Sequence, residues 1–578
     1  MWLMLVIPIG LLYLCFRLLF RSNKSKKVPS AIVAEINTPE PAPIELDASE
    51  DRSSKEKTLS ESEKETQEPQ DSPWPPEEAL PPYDPTLDLP DYKYPSLDLL
   101  ETNNDLRYVP DESALAAEKE RMVDLLKSYD IRLQSITVSA GPAVTMYEIV
   151  PVAGIRVSRI KHLEDEMTLG LAASSIRIIA PIPGKGTIGI EVPTPERRYP
   201  GIRSLLASED FQQSSFDLPI ALGRTANNED LIVDLTLLPH ILIAGATGQG
   251  KSIGLHSILA SLLYKKHPSQ CKLVLSDPQK IEMSLYQPLE KHFLAKVPGH
   301  EAIVTDPNRF GETLAALCVE MDNRYDLLHD AGVHNVKEYN EKFIERHLNP
   351  LKGHQYLPYI VVAVEDYSDL IHSAGLDVEK TIIHLAERAH RVGIHLILST
   401  SRLSPNVLTQ ELKNHFPSRM AYKVTSREEA RATQDEPGAE RLLGKGDMLF
   451  KWNDITTRIQ GAFIDTAEVK RIANFIGRQR GYPEAYKLPE FVDAQEMKAK
   501  DFDLSDRDSL FEEAAHLVVM NQLGSTSLIQ RKMKLGYNRA GRLMDQLEAA
   551  GVVGPDKGSA PRDVLIKTGM ELDLYLVK

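Results

Sequence analysis

An unbroken phosphate-binding motif constrains this chain more than any other stretch. Its eight residues are Gly245, Ala246, Thr247, Gly248, Gln249, Gly250, Lys251 and Ser252, which fit G-x-x-x-x-G-K-[ST] without a gap. Glycine lets backbone N–H groups curl around phosphate oxygens, and the N-terminus of the following helix favours an anion. Lys251 would reach the β- and γ-phosphates, and the Ser252 hydroxyl would hold Mg²⁺. The alternative, an accidental glycine-rich turn, explains neither the apolar run before the motif nor the amphipathic pattern after it.

Composition divides the chain into parts of very different charge. A length of 578 residues favours three or four units. The net charge is −16, and residues 28–105 hold 20 acidic and 5 basic side chains, so the remainder is nearly neutral. The overall charge therefore does not exclude a nucleic-acid partner. Three cysteines suggest no disulfide framework.

The N-terminus predicts a membrane anchor. Residues 1–21 are apolar apart from Arg17 and Arg21, and the length suits one transmembrane helix. A cleaved signal peptide is disfavoured because a basic n-region and a small-residue cleavage site are absent. Basic residues follow the apolar run, which predicts a single-pass protein of the inner (cell) membrane with its bulk in the cytoplasm. The acidic, proline-rich residues 22–112 are predicted to form a disordered linker.

Strand and helix patterns alternate through the middle of the chain. Residues 113–195 predict a small α/β accessory domain, and residues 196–480 predict a P-loop domain with a mostly parallel sheet covered on both faces. Ligands of such sheets bind at the carboxyl ends of the strands. We therefore expect Gly245, Asp277 and Thr400 to converge there with Glu365.

A linker over residues 481–504 and a winged helix over residues 505–578 complete the predicted organisation. Three helical patterns precede two strand-like segments that flank a Lys-Gly turn. Asn538, Arg539 and Arg542 lie at the start of the third helix, where a recognition helix contacts DNA. The alternative is a solvated face on a protein-docking domain.

These motifs together resemble the FtsK/SpoIIIE-type DNA translocases. The resemblance rests on the P-loop, Asp277-Pro278, the strand ending in Glu365-Asp366, the stretch from Gly444 to Asp447, and the C-terminal GYNRAGRLMDQLEAAG. It implies an α/β fold with a RecA-like P-loop core, the family's α domain before it and the winged-helix γ domain after it. It also implies a homohexameric ring that moves double-stranded DNA with ATP and Mg²⁺, with division or recombination proteins as further partners. The implied catalytic residues are Lys251, Glu365 and Asp366, with Ser252 and Glu365 holding the metal.

Several positions depart from the family pattern. The chain has Glu365-Asp366 where the family has Asp-Glu, Ser401 where the family has a glutamine that senses the γ-phosphate, and Gln279 where the family has lysine. Phosphoryl transfer depends on positioning, so these changes bear on the rate of hydrolysis. Arg427 and Arg431 fall near where the family places arginines at a subunit boundary, so the resemblance implies that either could act as a finger on a neighbour's ATP; solvated helix charges are the alternative.

Three functions are therefore compared. The first is a membrane-anchored, ATP-dependent translocase of double-stranded DNA that acts in chromosome segregation or cell division. The second is a relative that binds ATP and DNA with weak or no hydrolysis and serves as a membrane tether or scaffold. The third, a P-loop protein that handles other substrates, leaves the winged helix unexplained.

Overall fold

The chain divides into two units, residues 1–489 and 490–578, which are described separately. The computed structural model describes residues 81–102, 112–182, 184–374, 376–490, 510–533, 537–555 and 561–569, together with Asp508, Leu535, Glu571 and Leu572. The predicted anchor at residues 1–21 and most of the predicted linker lie outside the described residues. Among the helices that are described, none combines the length and apolarity needed to cross a bilayer.

Sixteen strands are present in the described part of the first unit. They are β1 (Leu133–Ala140), β2 (Val144–Pro151), β3 (Arg177–Ile179), β4 (Ile188–Pro193), β5 (Pro219–Thr225), β6 (Asp230–Asp234), β7 (His240–Ala244), β8 (Cys271–Ser276), β9 (Ala295–Lys296), β10 (Ile303–Val304), β11 (Tyr359–Val364), β12 (Ile394–Thr400), β13 (Ser418–Tyr422), β14 (Asp447–Trp452), β15 (Ile455–Gly461) and β16 (Tyr486–Lys487). The accessory sheet has the order β1-β2-β4-β3, and the large sheet has the order β10-β8-β11-β12-β7-β13-β14-β15-β5-β6.

The helices of the described residues cover both sheets and form most of the second unit. They are α1 (Glu112–Ser128), α2 (Val157–Lys161), α3 (Glu164–Gly170), α4 (Ile202–Leu206), α5 (Glu209–Gln212), α6 (Lys251–Lys265), α7 (Pro307–Ala331), α8 (Val336–Ile344), α9 (Tyr367–Ala374), α10 (Leu376–Arg388), α11 (Gln410–His415), α12 (Arg427–Gln434), α13 (Thr466–Gly477), α14 (Phe511–Asn521), α15 (Thr526–Met533) and α16 (Tyr537–Ala549).

The large sheet has a parallel part, which the sequence predicts, and an antiparallel part, which it does not. Every residue of β7, β8, β11 and β12 is buried, as expected for strands covered by helices on both faces. These four strands pair in parallel with β10 and β13, whereas β14, β15, β5 and β6 add an antiparallel half. The α/β class with a RecA-like core is thus confirmed.

The register of this sheet aligns the carboxyl ends of neighbouring strands. Val364, the last residue of β11, lies opposite Ser276 at the end of β8 and opposite Leu398 near the end of β12. Thr400 of β12 in turn pairs with Ala244, where β7 gives way to the phosphate-binding loop. Side chains that follow these strands are therefore gathered at one edge of the sheet.

Residues 81–102, which we call the strap, are ordered and lie against the P-loop domain. Leu89, Tyr92 and Leu100 are buried in the same core as the large sheet. The predicted disordered linker is therefore wrong over these residues. Their composition is acidic and proline-rich like that of the preceding stretch, but the apolar side chains at intervals of three to eight residues are enough to dock a segment that forms no long helix or strand.

The strap is held by hydrogen bonds to three separate parts of the domain. The Tyr83 N–H donates to the Ile344 carbonyl over 2.8 Å, and the His267 ring lies 3.2 Å from the Leu89 carbonyl. The backbone of Lys93 both donates to and accepts from the Gln479 amide, at 2.7 and 2.9 Å. The strap thus contacts α8, the segment after α6 and the segment after α13.

The end of the P-loop domain also extends past its predicted boundary. The two residues of β16, Tyr486 and Lys487, pair in parallel with Ala295 and Lys296. The linker predicted to begin at residue 481 therefore starts too early. A two-residue strand is too short to leave a periodic signal in the sequence, so the boundary was not predictable from its pattern.

The second unit has the architecture of a winged helix. Helices α14, α15 and α16 enclose a core that includes Phe511, Val518 and Leu543. Two isolated antiparallel bridges follow, Val553 with Val564 and Gly524 with Arg562. The Val553–Val564 bridge belongs to the predicted wing, and the Gly524–Arg562 bridge joins the wing to the turn between α14 and α15.

Candidate nucleotide site

The phosphate-binding motif forms a tight loop between β7 and α6. Helix α6 begins at Lys251 and is preceded by Gly250, whose φ of +113° suits glycine and strains other residues. A Cβ at Gly250 would also lie 2.8 Å from the backbone nitrogen of Gly446. The glycine is thus required twice, by its dihedral angle and by the close approach of a second loop.

A cleft of about 1200 Å³ opens beside this loop. Thr247, Gly248, Gly250, Lys251 and Ser252 line it. The other three motif residues contact structure outside the cleft. The Ala246 N–H donates to the Lys423 carbonyl, the Gln249 carbonyl accepts from the Gly446 N–H, and Gly245 abuts Tyr422.

Ser252 and Glu365 meet as the predicted metal site requires. The Ser252 hydroxyl donates to Glu365 Oε1 over 2.8 Å. Burial raises the pKa of Glu365, and its hydrogen bond from Ser252 partly opposes that shift. Mg²⁺ prefers oxygen ligands and is commonly held by one or two protein groups together with substrate phosphates. A hydroxyl and a carboxylate in contact at the start of α6 fit that requirement.

Lys251 lies with its ammonium group at the floor of the phosphate-binding loop. Its Nζ donates to the Ala246 carbonyl over 3.2 Å, and the side chain is buried. Burial lowers the pKa of Lys251, while Glu365 and Asp366 act in the opposite direction. A phosphate group in the cleft would add negative charge beside this buried cation.

Asp366 stands at the end of β11 in a left-handed backbone conformation, with φ of +50°. Its carboxylate accepts a hydrogen bond from the Ser401 hydroxyl over 3.0 Å and another from the Gln279 side-chain amide. Both donors and Asp366 line the cleft. The second of the two predicted carboxylates is therefore held from both sides.

Three of the four residues expected to converge on the ligand differ from that expectation. Asp277 lines the cleft, but its carboxylate accepts the backbone N–H groups of residues 279–283 and so fixes its own loop. Thr400 is not among the lining residues, and its hydroxyl donates to the Arg402 carbonyl over 3.2 Å. Gly245 is likewise outside the lining, which leaves Glu365 as the residue that meets the expectation fully.

The sequence reasoning missed Tyr422, which closes the cleft beneath α6. Its ring is buried, and a Cβ at Gly254 would lie 2.0 Å from its hydroxyl oxygen. The tyrosine therefore explains why a glycine occurs inside α6, where glycine is otherwise unfavourable. The sequence signal that could have pointed to this close contact is a glycine in the interior of a predicted helix.

The far wall of the cleft comes from the segment that joins the accessory domain to the P-loop domain. Arg197, Tyr199 and Pro200 line it. Arg197 donates to the Gly444 carbonyl over 2.8 Å, which ties this segment to the loop that contacts the phosphate-binding motif. The sequence signal that could have pointed to this wall is the basic and aromatic run at residues 197–199, which lies at a predicted domain boundary.

The two arginines considered as fingers do not line the cleft of their own chain. Both lie on α12, where Arg427 Nε is 3.6 Å from Glu440 Oε1 and Arg431 is exposed. Action on a neighbour's ATP stays a prediction.

The predicted DNA-binding residues of the second unit differ in their surroundings. Arg539 makes a two-pronged ion pair with Asp508, at 2.9 Å from Nε and 2.8 Å from Nη2. Arg542 is exposed on the same helix. The side chain of Asn538 lies outside the described residues. Arg539 thus has a protein partner that a phosphate would have to displace.

The large sheet and the cleft define the class of the protein. One strand, β12, separates the P-loop strand β7 from the carboxylate strand β11, and the loop, lysine, serine and carboxylates meet at one edge. This is the arrangement of a RecA-like P-loop ATPase. Three family profiles match the chain: the FtsK/SpoIIIE family over residues 201–405, the FtsK alpha domain over residues 94–194 and the Ftsk gamma domain over residues 505–567. The chain belongs to the FtsK/SpoIIIE family.

Curated relatives carry the name DNA translocase FtsK. The protein from Chlorobaculum tepidum is 43% identical over 500 residues, which cover 85% of this chain and 61% of that protein. The protein from Halalkalibacterium halodurans is 39% identical over 479 residues, covering 82% and 59%. The chain thus spans about three-fifths of the length of these relatives.

Two solved structures align with parts of this chain. The pCW3 conjugation coupling protein TcpA is 21% identical, with a TM-score of 0.43 over 62% of this chain and 98% of TcpA. The cytoplasmic domain of the Type VII secretion ATPase EccC of Thermomonospora curvata is 20% identical, with a TM-score of 0.42 over 50% of this chain and 36% of EccC.

The buried carboxylate of Glu365 yields a prediction for stability. Its pKa is raised, so above that pKa the ionised group destabilises the folded chain, and the penalty fades as the pH falls toward the ordinary glutamate range. Glu365→Gln should therefore raise the Tm by about 2 °C at pH 8 in EDTA, and the gain should shrink at acid pH. The same variant should weaken Mg²⁺-dependent nucleotide binding. Glu387→Gln, at an exposed position of α10, is the control, and an equal Tm for both variants at pH 8 would contradict the prediction.

Proposed function

We propose that this chain is an ATP-dependent translocase of double-stranded DNA, anchored to the inner membrane and acting in chromosome segregation or cell division. The observation that carries the proposal is the presence, in one chain, of a complete P-loop cleft and a winged helix with an exposed arginine on its third helix. Membership of the FtsK/SpoIIIE family and relatives named DNA translocase support it.

The residues of the cleft have separate tasks in the proposed ATP hydrolysis. Lys251 holds the β- and γ-phosphates, and the N–H groups of the loop cradle their oxygens. Ser252 and Glu365 hold Mg²⁺, which neutralises phosphate charge when bound. Asp366, held by Ser401 and Gln279, orients the attacking water and accepts its proton.

The ring and the anchor are further parts of the proposal. Arg427 and Arg431 on α12 are exposed and do not line the cleft of their own chain. In a homohexamer they would instead reach the cleft of a neighbouring subunit and act there as arginine fingers. The apolar residues 1–21 and the basic residues that follow support a single-pass anchor with the P-loop domain in the cytoplasm. Double-stranded DNA, further copies of this chain and the membrane are the proposed partners.

The test is the ATPase rate of the full chain with and without double-stranded DNA. We expect DNA to stimulate turnover severalfold. A chain that binds ATP but shows no turnover above background, with or without DNA, would contradict the proposal.

A second function is favoured by the altered residues at the nucleotide. The exchanged order of Glu365 and Asp366 and the short side chain of Ser401 support an ATP- and DNA-binding tether with weak or no hydrolysis. Under this alternative, changing these positions to the family pattern of Asp, Glu and Gln should raise turnover sharply. No gain in turnover would count against it.

DNA binding by the winged helix gives a separate prediction. Arg542→Ala should weaken binding of double-stranded DNA by about tenfold in a gel shift at low salt, because an exposed guanidinium on the recognition helix contacts phosphate or a base edge. Lys567→Ala removes the same charge from an exposed residue outside α16 and is the control. Equal binding by the two variants would contradict this role. Arg539→Ala is less informative alone, because it also leaves Asp508 without its ion pair.

A further inference from the structure

Three polar side chains that line the cleft meet in one cluster. Gln279 follows β8, Asp366 follows β11 and Ser401 follows β12, and these strands are neighbours in the sheet. Asp366 occupies the centre, with Ser401 donating to Oδ1 and Gln279 donating to Oδ2. The three residues are more than 30 positions apart in sequence, and in the fold Gln279 and Ser401 both contact Asp366.

Gln279 is itself firmly anchored. Its backbone N–H donates to Asp277 Oδ1 over 3.0 Å. The Asp277 carboxylate also accepts the next four backbone N–H groups of the same loop. The Gln279 amide nitrogen is in addition 3.4 Å from Asp369 Oδ2 at the start of α9. A residue tied at its backbone in this way can hold a neighbouring side chain in one orientation.

The chemistry of the cluster suits a carboxylate that must act on water. An ionised carboxylate has about four lone-pair sites, and the two donors occupy one on each oxygen. Sites remain on both oxygens for a water molecule. Both donors are neutral, so they orient Asp366 without adding a positive charge beside Lys251. The shorter side chain of aspartate also has fewer rotatable bonds to restrain than glutamate.

We infer that Gln279 is a positioning residue for Asp366, whose amide fixes the carboxylate in the orientation used for ATP hydrolysis. This inference rests on the proposed function.

The test compares Gln279→Ala with wild type in the full chain, with DNA and saturating ATP. Misplacement of a catalytic group by about an ångström lowers rates on the order of a hundredfold, and we expect a fall in kcat of this size. The KM for ATP and the Kd for a fluorescent ATP analogue should change by less than about threefold, because Lys251 and Ser252 are untouched. Gln287→Ala is the control: it removes an amide that donates to the half-buried Glu290 outside the cleft, and it should keep the wild-type kcat.

A second variant separates positioning from a structural role. Adding Ser401→Gln to Gln279→Ala supplies an amide from the β12 side of Asp366, and kcat should recover at least tenfold. An unchanged kcat in Gln279→Ala, while wild type turns over ATP, overturns the inference and leaves the proposed function standing. A parallel loss of kcat, ATP binding and Tm, without recovery in the double variant, also overturns it. Absence of turnover in wild type overturns the proposed function and the inference with it.

Discussion

Lys251→Ala is expected to lower ATP turnover on the order of a hundredfold to a thousandfold, with and without DNA. The lysine is the only residue of the phosphate-binding motif with a charged side chain, and its Nζ is buried beside the loop that would hold the phosphates. Removing one preorganised group that stabilises transition-state charge has an effect of this size in other enzymes. Nucleotide affinity should fall as well, because the same ammonium contacts phosphate in the ground state.

The measurement is steady-state phosphate release together with the Kd of a fluorescent ATP analogue. Lys337→Ala is the control, since this lysine forms a half-exposed ion pair with Asp217 away from the cleft and surface pairs contribute little. Turnover in Lys251→Ala within about threefold of wild type would contradict the assignment of the cleft.

The nucleotide site divides into a part that the sequence could predict and a part that needed the fold. The eight motif residues are contiguous, so one local pattern specifies their loop and the helix that follows. Glu365 was also predictable, because an apolar strand that ends in carboxylates must present them at the ligand edge of a parallel sheet. The contact between Ser252 and Glu365 follows from these two facts.

The cluster around Asp366 was not predictable in the same way. Its three members lie on strands whose order in the sheet, β8-β11-β12, is set by helical crossovers that no local pattern specifies. The sequence could show that Gln279, Asp366 and Ser401 each differ from the family. Only the fold shows that the three differences are in contact and act on one carboxylate.

The winged helix illustrates a different limit. The position of Arg539 on the third helix was predictable, since periodicity fixes where that helix begins. Its partner Asp508 belongs to the segment before α14, and an ion pair between residues 31 positions apart leaves no trace in either local pattern. From the sequence, Arg539 and Arg542 were equivalent candidates for DNA binding. In the fold, Arg539 forms an ion pair with Asp508, and Arg542 is exposed.

Deletion of the strap is expected to destabilise the P-loop domain by more than about 5 kcal/mol. The deletion uncovers a surface that now buries three large side chains, and loss of a single buried leucine alone costs about 2–5 kcal/mol. It also removes the hydrogen bonds to α8, to the segment after α6 and to the segment after α13. The chain without residues 1–80, which keeps the strap, should melt like the full chain, whereas the chain that also lacks residues 81–102 should melt at a clearly lower temperature or fail to fold.

A matched pair of leucines tests the same point without a deletion. Leu89 is 8% exposed and Leu87 is 67% exposed, two positions apart in the strap. Leu89→Ala should destabilise the domain by about 2–4 kcal/mol, and Leu87→Ala by less than about 0.5 kcal/mol, because an exposed leucine has few contacts to lose. Equal Tm values for the two variants would mean that the strap melts independently of the domain. Unequal values would make the strap part of the folding unit of the P-loop domain.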